Sequence, residues 1–108
     1  MKVPIRRAVA GAAAVIVATT SYSAHAADAE YGEYLSSECV TCHRIDGAQS
    51  NIPDITGWDI KSFVAVLRAY KARERRNKVM QTITSGLSDE DMEALAAYFA
   101  SIKQARAK

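Results

Sequence analysis

Both cysteines of the chain and one of its two histidines fall in one pentapeptide, Cys39-Val40-Thr41-Cys42-His43. The C-x-x-C-H spacing is the signature of covalent haem attachment. On one helical turn both thiols can face a porphyrin edge, where each forms a thioether with a vinyl group. The imidazole that follows can then bind the iron from one side of the ring. The pentapeptide therefore predicts one covalent haem, held by Cys39 and Cys42, with His43 as an axial ligand.

The two cysteines could instead form a disulfide, a redox-active dithiol or part of a zinc site. A disulfide is permitted in an exported protein and would staple a small domain. A redox dithiol of the thioredoxin type should follow a strand within a βαβ pattern, and no strand is predicted before Cys39. A zinc site needs a further nitrogen or sulfur ligand. Only a carboxylate remains for that role, because the other histidine, His25, belongs to the predicted leader.

An electron carrier usually fills the second axial position of its iron, often with methionine. The candidates beyond the leader are Met80 and Met92. Met92 follows a helix start at Ser88 and falls where a hydrophobic staple with Leu87 is expected, so it is predicted to be core packing. Met80 stands near a loop that can fold across a ring, and is predicted to be the second iron ligand.

The amino-terminal segment has the three parts of a secretory signal. Lys2, Arg6 and Arg7 are followed by an apolar run at residues 8–18 and then by small residues around Ala26. Eleven residues reach about 16 Å as a helix, too short for a bilayer core of roughly 30 Å, so stable membrane insertion is not expected. We predict a signal peptide at residues 1–26 and a periplasmic domain at residues 27–108.

Loss of this leader changes the charge of the chain. The full sequence of 108 residues has 14 Lys and Arg against 12 Asp and Glu, a formal net charge of +2. Removing the three leader cations leaves 11 against 12, so the mature domain is close to neutral. This balance, together with export, argues against a nucleic-acid partner.

Apolar residues recur at helical spacing, and no period-2 run is long enough for a strand. The predicted fold class is therefore all-α, with three main helices plus short helical turns around one haem. Tyr31 and Leu35, with Tyr34 as a third candidate, are expected on the inner side of the first helix. The expected helices cover residues 28–41, 60–71 with Asp59 as N-cap, 79–85 ended by Gly86, and 89–104.

The order of these features resembles a class I (mitochondrial-type) cytochrome c over nearly all of residues 30–104. The shared order is a first helix, C-x-x-C-H, a proline loop, a middle helix, a methionine and a final helix with aromatic residues. Residues 32–35, the Ile52-Pro53 loop and residues 80–99 are similar to small bacterial cytochromes that serve sulfur-oxidising dehydrogenases. An example is the cytochrome subunit of flavocytochrome c sulfide dehydrogenase.

The resemblance assigns roles to individual residues. It implies Cys39 and Cys42 as attachment points, His43 and Met80 as axial ligands, and Pro53 as the source of a carbonyl that accepts from the ligand imidazole.

The resemblance also implies that Trp58 packs on the haem or bonds a propionate; the alternative is a core tryptophan. It further implies that Gly32, with Tyr98 or Phe99, belongs to the contact between the first and last helices. Arg44 and Arg73 depart from the pattern, because each stands where glycine is expected. Both add positive charge near the expected haem rim.

The expected function is single-electron transfer, with no catalysis by the chain itself. The donor would be a periplasmic dehydrogenase with a flavin or molybdenum subunit, in sulfur metabolism if the resemblance holds, and the acceptor would lead to the respiratory chain. Cations crowd the segment before Met80 and would favour an acidic partner. They are Arg68, Lys71, Arg73, Arg75, Arg76 and Lys78.

Two alternatives remain open at this point. An open iron site would make the protein a peroxidase or gas binder, which requires that Met80 does not bind the iron. A permanent subunit of a larger dehydrogenase would differ from a free shuttle only in the lifetime of its contacts.

Overall fold

The structure, a computed structural model, contains five α-helices and no strand in the part of the chain that it describes. They are α1 (Ala24–Leu35), α2 (Ser37–Val40), α3 (Ile60–Lys71), α4 (Lys78–Ser85) and α5 (Asp89–Arg106). The described residues are 2–5, 8–19, 24–46 and 51–106, without the side chains of 24–27 and 103–106. The all-α prediction, with three main helices and shorter helical turns, is confirmed.

The first helix crosses the last at a point where only glycine fits. A Cβ on Gly32 would collide with the backbone carbonyl of Ala94 and would lie 2.8 Å from the Cβ of Tyr98. Beside this crossing, the Tyr31 hydroxyl donates a 2.8 Å hydrogen bond to Oδ1 of Asp91. The predicted contact between the first and last helices is therefore present, with Gly32 at its centre.

The expected single helix over residues 28–41 is interrupted at Ser36, which separates α1 from α2. The Ser36 amide bonds the carbonyl of Glu33 at 3.2 Å, and its hydroxyl donates to the same oxygen at 2.7 Å. This tightened turn redirects the chain before the cysteines. Tyr31 and Tyr34 are 46% and 78% exposed, so the prediction that they face inward is wrong.

The core lies between α3 and α5. Phe63 stacks on Phe99 with ring centroids 5.7 Å apart, and Met92 is fully buried, as predicted for a packing residue. Buried residues of the core cluster are Phe63, Val64, Leu67, Met92, Leu95, Ala96 and Phe99. The amide of Gly57 bonds the carbonyl of Phe99 at 2.9 Å, which ties the proline loop to this core.

Helix α3 has the bounds that the sequence predicts, and its two ends explain why. The Asp59 carboxylate accepts from the amide of Ser62 at 3.0 Å, a typical N-cap. At the other end, the amide of Glu74 bonds the Ala69 carbonyl at 2.9 Å and that of Arg73 bonds the Tyr70 carbonyl at 3.0 Å. This pair of bonds is a Schellman motif.

Helices α4 and α5 also begin at capping residues. The Asn77 side chain accepts from the amide of Met80 at 3.0 Å at the start of α4, which ends at Gly86. At the start of α5, the Ser88 hydroxyl accepts from the amide of Asp91, and the Asp91 carboxylate accepts from the amide of Ser88. This reciprocal pair has the logic of a capping box, with aspartate at the third position.

Candidate haem site

A largely apolar cavity of about 360 Å³ lies beside the core and is bounded by α2, the proline loop, α3 and α4. Its volume is in the range of sites that hold small molecules and cofactors. All six predicted site residues line it: Cys39, Cys42, His43, Pro53, Trp58 and Met80.

Helix α2 and the turn after it bring the motif side chains to one wall. The amides of Cys42 and His43 both bond the carbonyl of Cys39, at 3.2 and 2.8 Å. This compact turn places two thiols and an imidazole along the same edge of the cavity. Cys39 is half-buried and Cys42 is exposed, and neither forms a disulfide.

The protonation of Cys39 also bears on the alternative uses of the motif. Burial, with a smaller contribution from Glu38, raises the pKa of the Cys39 thiol to about 11. A redox dithiol needs a depressed thiol pKa, so the environment of Cys39 does not suit that chemistry. Among the described side chains, no three His, Cys, Asp or Glu residues converge as a metal-binding group, so no zinc site of that kind is present there.

The imidazole of His43 is oriented by the loop that follows it. Nδ1 of His43 lies 2.8 Å from the carbonyl oxygen of Pro53. A carbonyl can only accept, so Nδ1 carries the proton and donates it to this bond. In a neutral ring the lone pair is then on Nε2, the tautomer that a metal-binding histidine requires.

Met80 lies in the first turn of α4 and contributes its half-buried side chain to another wall. The cap from Asn77 fixes the start of this turn, and the hydroxyl of the fully buried Thr84 donates to the Met80 carbonyl at 2.8 Å. Met92, by contrast, does not line the cavity. Met92 is therefore a core residue, as predicted, and Met80 is the methionine that lines the cavity.

Trp58 packs in the pocket, but its polar atom is already engaged. Its indole Nε1 donates to the carbonyl of Asp54 at 3.1 Å, and its ring meets that of Phe63 edge-on, 6.2 Å away. The packing role expected for Trp58 fits this arrangement. The alternative role of bonding a propionate does not, because the donor is used within the proline loop.

One wall of the cavity consists of residues that were not among the predicted site residues. Phe63, Val66 and Tyr70 line it from α3, and Arg75 lies over the Tyr70 ring with its guanidinium carbon 5.2 Å from the centroid. Phe63, Val66 and Tyr70 follow one another at spacings of three and four residues, which is the pattern of an apolar face on a helix.

The exposed residues that line the cavity locate its mouth. Val79 is 64% exposed and Ile52 is 37% exposed, and both contribute to the lining. The segment that leads into α4 and includes its first residue, which we call the basic loop (residues 73–78), therefore lies at this mouth. Arg44, the other predicted cation near the rim, pairs with Asp46 at 2.6 Å.

The residues around the cavity fit a haem. Two thiols stand beside an imidazole with a free Nε2, a thioether enters from a different helix, and the remaining walls are mainly apolar. A small all-helical domain with this donor set defines the class of haem-binding electron-transfer proteins.

Comparison with known proteins gives the family. The cytochrome c family model matches residues 29–103, and the chain belongs to the cytochrome c family. It therefore carries a covalently attached haem c, for which Cys39 and Cys42 supply the required spacing, and it is an electron-transfer protein rather than an enzyme.

Curated relatives include small bacterial cytochromes. The chain is 35% identical over 81 residues to cytochrome c-554(548) of Halomonas halodenitrificans, covering 70% of this chain and 98% of that one. It is 32% identical over 74 residues to the cytochrome subunit of sulfide dehydrogenase of Chlorobaculum tepidum, covering 68% and 67%. It is 37% identical over 62 residues to the thiosulfate dehydrogenase electron acceptor of Stutzerimonas stutzeri, covering 55% and 29%.

Proposed function

We propose that the protein is a periplasmic carrier of single electrons whose haem iron is bound by His43 and Met80. The observation that carries this proposal is the presence of both side chains on the walls of one apolar cavity that also contains the two cysteines. In this assignment Cys39 and Cys42 form the two thioether bonds. When bound, the haem supplies the Fe(III)/Fe(II) couple that accepts and releases one electron.

The chain's own residues orient and enclose the cofactor. The Pro53 carbonyl holds the His43 ring and makes its Nε2 a stronger base. Trp58 and Phe63 exclude water from one side of the cavity. Met80 would hold the iron through its sulfur, and this soft ligand would favour Fe(II) and raise the reduction potential.

This arrangement favours an electron carrier over an open-site peroxidase or gas binder. A peroxidase usually needs a polar group on the distal side to move protons. The cavity contains His43 as its one lining histidine, and the nearby residues of α4 are Val79, Met80 and Ile83. None of these three α4 side chains transfers protons.

The relatives' names support a dehydrogenase as the electron donor. One is the cytochrome subunit of a sulfide dehydrogenase and another is the electron acceptor of a thiosulfate dehydrogenase. We propose that this chain accepts electrons from a periplasmic dehydrogenase of sulfur compounds, with a flavin or molybdenum centre, and passes them towards the respiratory chain.

The basic loop is the proposed docking surface for an acidic partner. Two of the cations in this region serve the fold: Arg68 pairs with Asp89 at 2.9 Å, and Lys71 donates to the Leu87 carbonyl at 2.5 Å. Neither ion pair found among the described residues involves the loop. Its charges are therefore available at the cavity mouth to speed association with an acidic protein.

Export by a signal peptide at residues 1–26 completes the proposal. Part of the expected cleavage region, residues 20–23, lies outside the described residues. Among the helices described, none is long and apolar enough to span a membrane. Mass spectrometry of periplasmic protein should give an amino terminus at Ala27, and retention of the full leader would contradict this assignment.

The visible spectrum of the oxidised holoprotein tests the ligand assignment. Wild type should show the weak far-red band of an iron–methionine bond, and Met80→Ala should lose it. Met92→Leu is the matched control, because it changes a methionine that does not line the cavity, and it should retain the band. A high-spin wild-type spectrum without the band would instead favour the open-site alternative.

A further inference from the structure

Arg73, at the carboxyl end of α3, has a backbone conformation that is unfavourable for every residue type except glycine. Arg73 has φ 63°, the one positive φ at a non-glycine residue in the described part of the chain. It occupies the C′ position of the Schellman motif, where glycine is strongly preferred because it has no Cβ. Any other residue there loses stability through the clash of its Cβ with the backbone.

The side chain of Arg73 does not offset this loss within the fold. The residue is exposed, and no ion pair joins it to an acidic side chain among the residues that the structure describes. Its amide bond to the Tyr70 carbonyl belongs to the backbone and would be kept by glycine. Replacement by glycine would therefore keep the motif and remove the strain.

The position of Arg73 indicates where its charge acts. The basic loop passes directly into α4, and Arg75, Asn77, Val79 and Met80 all line the cavity. The guanidinium of Arg75 is stacked on Tyr70 at the cavity wall. Arg73 is exposed, lies two residues before that anchored side chain, and belongs to the same basic loop at the cavity mouth.

We propose that Arg73 is a partner-recognition residue, kept in a strained conformation because its guanidinium contacts acidic side chains of the redox partner. This inference rests on the proposed function and names one residue within it. Strained residues cluster at functional sites where another requirement outweighs stability. Here that requirement is one additional positive charge at the cavity mouth.

The test compares Arg73→Gly with Arg76→Gly in the holoprotein. Both remove one positive charge from the same loop and introduce glycine, but only Arg73 has a positive φ. We expect Arg73→Gly to raise the midpoint of thermal unfolding by about 4–8 °C and Arg76→Gly not to raise it. If Arg73→Gly is no more stable than Arg76→Gly, there is no strain to explain and the proposal fails.

Reduction by flavodoxin, a strongly acidic one-electron donor, measures recognition. At low ionic strength Arg73→Gly should be reduced roughly twofold to fivefold more slowly than wild type, and the difference should disappear at high salt. Arg73→Lys should restore the rate without the gain in stability. The cationic methyl viologen radical, as control donor, should not react more slowly with the glycine variant.

An unchanged flavodoxin rate in Arg73→Gly would overturn the recognition role. Failure of the proposed function would look different, because it would appear in the wild-type spectrum as a missing iron–methionine band. The comparison of the midpoints of thermal unfolding does not depend on that spectral band. The two proposals can therefore fail separately.

Discussion

Nδ1 of His43 lies 2.8 Å from the carbonyl oxygen of Pro53, so one hydrogen bond joins the turn after α2 to the proline loop. The acceptor is a backbone atom, and its position depends on the conformation of the loop rather than on a side chain. Proline fixes its own φ and so restricts where this carbonyl can point.

Replacing Pro53 should therefore alter the iron without removing a ligand. In Pro53→Gly the carbonyl remains but the loop gains freedom, which weakens the bond and lowers the basicity of the His43 imidazole. Fe(III) is then stabilised less, and we expect the reduction potential to rise, with a smaller rise in Pro53→Ala. Redox titration of wild type, Pro53→Ala and Pro53→Gly measures this order of reduction potentials. Equal potentials would contradict the positioning role of Pro53.

Gly32→Ala should strongly destabilise the protein. The added methyl group would meet the Ala94 carbonyl and the Tyr98 Cβ, and neither is the flexible end of a side chain. Overpacking of this kind costs about 1–3 kcal/mol of unfolding free energy, and more where backbone must move. Gly86→Ala is the control, since a Cβ there meets nothing within 4 Å and its φ is −89°. Denaturant unfolding should separate the two variants clearly.

Substitutions at the two methionines should have different effects. Met92→Ala opens a cavity in the core and should reduce the unfolding free energy by about 2–5 kcal/mol, with the visible spectrum retained. Met80→Ala should change the spectrum and lower the potential. A change of the far-red band in Met92→Ala, at temperatures where the variant is folded, would contradict the assignment of Met80.

Acid sensitivity should depend on Asp91. Hydrogen bonds from the Ser88 amide and from the Tyr31 hydroxyl hold the pKa of the Asp91 carboxyl below its usual value. Its contribution to stability is therefore present above the unfolded-state pKa of about 3.9 and is lost as the pH falls through the lower folded-state pKa. Asp91→Asn should lose less stability than wild type between about pH 5 and pH 3.

Tyr31→Phe provides an intermediate case for this pH dependence, because it removes the hydroxyl donor and leaves the Ser88 amide in place. Thermal unfolding at several pH values measures both variants. If the three proteins lose stability in parallel as the pH falls, the carboxylate of Asp91 is not the source of the effect.

Local signals predicted much of the fold correctly. Asp59 as a cap, followed by apolar residues at helical spacing, was enough for the bounds of α3, and Gly86 and Ser88 defined the gap between α4 and α5. The haem motif could be identified because its residue types at this spacing have few alternative uses. All of these signals depend on residues close together in sequence.

The errors arose where long-range contacts decide the structure. Tyr31 and Tyr34 are exposed, because α1 approaches α5 so closely that a residue without a Cβ, Gly32, occupies the crossing. Such a close approach of two helices leaves no periodic signal in the sequence.

The crossing of α1 and α5 has a consequence for how the protein opens. Tyr31 and Asp91 are 60 positions apart, and every residue that lines the cavity except Leu95 lies between them in the chain. The conformational entropy lost when the two ends of a chain segment are brought together increases only slowly with the length of the segment. The contact between α1 and α5 nevertheless closes the whole intervening segment in one step. Amides of α1 and α5 should therefore exchange their hydrogens through the same cooperative opening, so that the haem environment is lost as one unit.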